Sequence, residues 1–169
     1  MLIPAQITSM KMWEIEFNLV IKFLEGHEPH GVIRISEGEI VDATVINIEL
    51  TRTEAEFNML GPVKLRAICL VDYATRNYDI ERGKWKEVVL GMRDKYPAEK
   101  DREDFVNAKT SADKNMLDAA KKIRTAVKDE RSRLLQYVKT LQTIGANTRE
   151  EWNMERSIQG ARNKNQRPF

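Results

Sequence analysis

Between Trp13 and Phe23 apolar and polar side chains alternate: Trp13, Ile15, Phe17, Leu19, Ile21 and Phe23 are apolar. Glu14, Glu16, Asn18 and Lys22 lie between them, and Val20 is the one exception. Alternate residues of a strand point to opposite faces, so this pattern predicts a half-buried strand. Turn residues follow from Glu25 to Gly31. A short strand is expected at Val32–Ile35, a tight turn at Ser36–Glu39, and a third strand from Ile40 to Leu50 with Ile46, Ile48 and Leu50 on one face. Three successive strands with short turns favour an antiparallel meander.

The period then lengthens. Thr53 and Glu56 have the Thr-x-x-Glu spacing of a capping box, which predicts a helix start. Gly61-Pro62 interrupts that first turn or two, and Pro62 can open a longer helix. In it Val71, Tyr78, Trp85 and Met92 recur every seven residues, with Ala74 and Val88 on a second seam. Pro97 is expected to end it, and residues 98–109 read as a charged connection. The last long helix carries the strongest pattern. Met116, Ile123, Tyr137 and Ile144 repeat on one seam, broken by Glu130, and Ala120, Val127, Leu134 and Leu141 on the other. Such a stripe is the mark of helices packing along their length. Gly145 is expected to stop this helix, and Thr148 with Glu151 to cap a short terminal one.

The expected fold is therefore α+β, an N-terminal antiparallel β-meander followed by a long antiparallel α-helical hairpin. The expected divisions are a small β region over 1–52, the hairpin with its short terminal helix over 53–159, and a basic disordered tail over 160–169. A hairpin of only two long helices would leave apolar surface uncovered, which predicts a homo-oligomer. Met116, Ile123, Val127, Leu134 and Leu141 are the candidate interface residues.

Charge sharpens this picture. The net charge is +2, but residues 1–60 hold 4 basic and 10 acidic side chains and residues 61–169 hold 24 and 16. An acidic front and a basic back suit either polyanion binding or subunit contact. Lys114, Lys121, Arg124, Lys128 and Arg131 recur at helical spacing along one side of the last long helix, beside the apolar seam. A basic row of this kind can track phosphates along a nucleic acid strand. A solvated face paired with a neighbouring subunit's acids is the alternative. The tail residues Arg162, Lys164 and Arg167 also suit phosphate contacts, or else form an inert end. Tyr73, Tyr78, Trp85 and Tyr96 could stack on bases, although helical spacing also suits core positions.

Catalytic chemistry finds no foothold in the motifs. There is no P-loop, no Gly-x-Gly-x-x-Gly and no His-Glu-x-x-His, and the chain holds 1 Cys and 2 His, too few for the usual nucleophile or metal sets within one subunit. His27 and His30 could hold a metal loosely, but Pro29 and the flanking glycines mark a solvated turn. No enzyme activity, cofactor or metal is expected. The single Cys69, the lack of a long apolar run and the lack of a signal-like start fit a cytoplasmic protein with no membrane partner.

The segment SADKNML at Ser111–Leu117 opens a helix that reaches Gly145, and the chain continues as REEWNMERSIQGA. This layout resembles the C-terminal half of the recombination mediator proteins of T-even-type phages. The preceding helix, about residues 62–96, is similar to that family's first hairpin helix in length and charge. The resemblance covers residues 62–161 and implies a ring-forming oligomer in the host cytoplasm. Such a protein binds single-stranded DNA and helps load a recombinase in place of a single-strand binding protein. It would put Lys114 and Lys121 near the DNA path. The other reading of the pattern is an assembly protein of a virion or neck, joining subunits through its β region and hairpin.

Overall fold

The computed structural model describes residues 7–26, 42–92 and 94–165, the segment 160–165 as backbone only. The fold is helical: α1 (Met10–Gly26), α2 (Ala43–Leu90), α3 (Glu99–Lys109) and α4 (Ser111–Asn165). No strand occurs among the described residues, so the expected α+β meander is replaced by helices. The strand expected at Val32–Ile35 lies outside them.

The segment read as the first strand is α1. Ser9 caps it: its Oγ accepts the Met12 N–H at 3.3 Å, and its carbonyl accepts the Trp13 N–H at 3.0 Å, which satisfies two groups at the helix start. The segment also fits a helical stripe through Trp13, Phe17, Val20 and Leu24. Burial shows which period wins. Val20, the exception to the alternation, is 1% exposed, whereas Ile15 and Leu19 are 53% and 46% exposed.

Of the third expected strand, residues 43–50 are the first part of α2, and Ile40 and Val41 lie outside the described residues. Asp42 caps that helix, its Oδ1 accepting the Thr44 N–H at 2.7 Å. Ile46 is buried while Ile48 is exposed, as two residues of separation require on a helix but not on one strand face. The helix then runs through residue 53, the expected β-to-α boundary, and through Pro62. Thr53 is not a cap. Its hydroxyl donates to its own helix, to the Glu49 carbonyl at 2.7 Å, so a polar residue can sit fully buried in the seam.

α2 presents a seven-residue seam of Ile46, Thr53, Leu60, Ala67 and Ala74, all buried. The expected Val71/Tyr78/Trp85/Met92 stripe holds only at its start. Val71 is buried, Tyr78 and Trp85 are half-buried, and Met92 and Val88 are exposed. On α4 the expected Ala120, Val127, Leu134 and Leu141 seam is buried and continues to Thr148. Gly145 does not stop α4, and Thr148 does not cap a new helix. Its hydroxyl donates back to the Ile144 carbonyl at 3.0 Å. Residues 160–165, expected as disordered tail, continue α4.

The described chain forms two compact units. The first joins α1 with Leu60–Glu130. There the Trp13 indole N–H donates to the Leu70 carbonyl at 3.1 Å, and the Arg66 guanidinium pairs with Glu16 at 2.8 Å. Rising numbers in α1 meet falling numbers in α2, so these two helices run antiparallel. The second unit joins Ala43–Met59 with α4 from Arg131 onward. Arg131 lies over the Phe57 ring at 4.6 Å, and Gly145 approaches Ile46, so these stretches of α2 and α4 are also antiparallel.

The segment read as a connection is α3. Glu99 and Asp101 in its first turn and Lys109 in its last complement the helix dipole. A single residue, Thr110, separates it from α4. Thr110 is buried, and both its N–H and its hydroxyl donate to the Val106 carbonyl, at 3.0 and 2.9 Å.

Candidate nucleic-acid interface

Lys114, Lys121 and Lys128 are seven residues apart on α4, two turns of helix and about 10 Å of rise each. They share one line on its surface, and Arg124 stands beside it. All four side chains are exposed. Burial of Met116, Ala120, Ile123 and Val127 fixes the opposite side of the helix inward, which turns the lysine line to solvent. The first turn of α4 is tied to α2 by the Asn77 amide, which donates to Asp113 at 2.8 Å.

That bond also matters for charge. Residues 111–128 hold five basic side chains (the four above and Lys122) against two acids, Asp113 and Asp118, a balance of +3. Asp113 is half-buried on Asn77, which leaves Asp118 as the exposed acid of the stretch. Lys114, Lys121 and Arg124 have no ion-pair partner among the described residues. Lys122 is a further exposed cation, off the line that the seven-residue spacing marks.

Arg131 does not join this surface. It belongs to the second unit, where it is half-buried against the Phe57 ring and its Nε is buried without a hydrogen-bond partner. Such a guanidinium serves packing through cation–π attraction. Arg162 and Lys164 lie on the backbone of α4; Arg167 lies outside the described residues.

The five residues assigned to a subunit interface are inside the protomer. Met116 and Ile123 are 8% exposed, Val127 and Leu141 1%, and Leu134 0%. In each unit the chain's own helices cover this seam. Apolar side chains that remain exposed include Ile48, Met59, Trp152, Met154 and Ile158 in the second unit.

A second cationic feature closes the far end of the first unit. The Trp85 and Phe105 rings meet edge to face at 6.0 Å, and Tyr96 tilts against Phe105 at 5.1 Å. The Lys109 ammonium stands 5.3 Å from the Trp85 ring centre and 5.6 Å from that of Phe105. Trp85 and Tyr96 were legible as candidates, but Phe105 and Lys109 were hidden in the supposed connection. The signal was present: Phe105 and Lys109 are four apart, with acids ahead and a base behind.

Among the described residues no group of three or more His, Cys, Asp or Glu gathers as a metal site; His27 and His30 lie outside them. No helix in the described chain is long and apolar enough to cross a membrane. No known protein family, curated protein or solved structure matches this chain.

Proposed function

We propose that this chain is a non-catalytic protein that binds single-stranded DNA, a recombination accessory of the kind its C-terminal half resembles. The observation that carries the reading is the exposed row Lys114, Lys121 and Lys128 with Arg124, held on a rigid helix whose other side is core. Phosphate contacts from such a row release counterions and give affinity that falls steeply with salt, with little sequence preference. Contacts to phosphate carry no sequence information of their own, so discrimination between sequences is expected to be weak.

Changing Lys114, Lys121 and Lys128 to Gln tests this. Glutamine keeps helix propensity close to that of lysine, so the fold is retained while three charges go. In fluorescence anisotropy with a single-stranded oligonucleotide, the log–log salt slope should fall in magnitude by about 2, near 0.7 per lost contact. An unchanged slope and affinity would remove the row from the binding surface.

A second reading, an assembly protein that joins subunits of a virion or neck, draws on different residues. Trp152, Met154 and Ile158 are 60%, 62% and 55% exposed in the C-terminal part of α4, and large apolar side chains in solvent favour partners. Homo-oligomerisation is compatible with both readings. Light scattering on a Trp152→Ser, Ile158→Ser variant tests its use of this surface: a drop in mass would support it, and an unchanged oligomer would not.

A further inference from the structure

The lysine row ends where α4 begins, two residues beyond the aromatic cluster at the end of α3. Lys109 is the last residue of α3, and Lys114 lies on the first turn of α4. The cluster is built, not incidental. The Arg102 guanidinium donates to the Tyr96 and Pro97 carbonyls at 3.0 and 2.7 Å, which fixes the turn after α2 against α3. Glu103, the acid nearest in sequence to Phe105 apart from Asp104, is paired with Arg82. Trp85, Tyr96 and Phe105 are all half-buried rather than sealed. Two ammoniums face their rings, Lys109 as above and Lys95 at 5.6 Å from the Tyr96 ring centre.

A half-open aromatic cluster with ammoniums standing over its rings offers two kinds of contact at once. Ring faces take another flat π-system, and ammoniums take a phosphate. A nucleotide in a single strand presents that pair as base and backbone, whereas a duplex keeps its bases stacked inside. Resting on the single-strand reading above, we propose that Trp85, Tyr96 and Phe105, flanked by Lys95 and Lys109, form a base-stacking site. It anchors a strand whose phosphates run along the α4 row. The row then supplies salt-dependent affinity, and the cluster supplies the preference for unpaired nucleotides.

The test compares two oligonucleotides of equal length and charge, oligothymidylate and a strand of abasic residues, by anisotropy with the full chain. The wild type should bind the thymidylate strand roughly 5- to 150-fold more tightly, the range for one stacked base. Trp85→Ala should remove that advantage and leave abasic binding and the salt slope unchanged. Trp85→Phe keeps a flat ring and should stay within a few fold of wild type, which guards against a folding artefact. Lys109→Gln should lower the salt slope on both strands by about 0.7. Equal weakening on both strands by Trp85→Ala would make Trp85 a structural residue and overturn the proposal. So would a wild type indifferent to the bases. If the wild type bound neither strand, the single-strand reading itself would fall, and this site with it.

Discussion

Replacing Gly145 by Ala separates a continuous α4 from a helix that ends near residue 145. At a helix stop of the left-handed kind, glycine is needed because any Cβ is strained, and alanine destabilises. In the structure Gly145 is an interior helical residue without a positive φ, and a Cβ built there meets the Ile46 Cγ2 at 3.5 Å. That distance is ordinary van der Waals contact, so nothing has to move. Two gains then act together. Alanine is favoured over glycine inside a helix by about 0.5–1 kcal/mol, and the methyl adds a few dispersion contacts of about 0.1–0.2 kcal/mol each. The variant should be more stable by about 1 kcal/mol, which for a chain of this size raises Tm by roughly 2–4 °C. Urea denaturation read by circular dichroism should show a higher midpoint at unchanged slope. A lower midpoint would mean that the chain turns at Gly145, and the continuity of α4 would be wrong.

Two further outcomes follow from the same packing. Leu134 is 0% exposed, so Leu134→Ala should cost about 2–5 kcal/mol in urea denaturation; a cost under about 1 kcal/mol would show the seam to be uncovered. At Asp42 the Thr44 backbone N–H, and after it the Thr44 hydroxyl, hold the carboxyl below its ordinary value. The cap's contribution is therefore complete above the unfolded value near about 3.9 and is lost as pH falls through the folded one. Asp42→Ala should lower Tm at neutral pH, and the gap from wild type should close in acid below that value; a gap independent of pH would contradict the carboxylate cap.

The α4 seam was legible because Ala120, Val127, Leu134 and Leu141 leave one period open, and the structure buries all four. α1 was not, because its apolar residues satisfy period two and period 3.6 at once. Only tertiary cover, which places Val20 inside and Ile15 outside, decides between them. The Thr-x-x-Glu spacings at Thr53 and Thr148 misled for a related reason. A threonine hydroxyl satisfies a backbone group equally well as a cap or by bonding back along its own helix, as both do here. α3 was missed because seven of its eleven residues are charged and its only large apolar residues, Phe105 and Val106, are adjacent and show no period. In the candidate site the seven-residue spacing found Lys114, Lys121 and Lys128. Arg131, three residues on, falls about 60° off the line from Lys128 and reaches Phe57.

The central claim, that the first unit binds single strands through the α4 row, is tested most directly by a salt titration of the wild-type protein. Labelled single-stranded and duplex oligonucleotides of one length would be compared by anisotropy between about 50 and 200 mM salt. Phosphate contacts from Lys114, Lys121, Arg124 and Lys128 predict saturable single-strand binding to which the row contributes a log–log slope of about −2.8, at about 0.7 per contact, and Lys109 as a fifth contact brings the total near −3.5. Absence of saturable binding at 50 mM salt, or binding whose affinity does not change with salt, would contradict it.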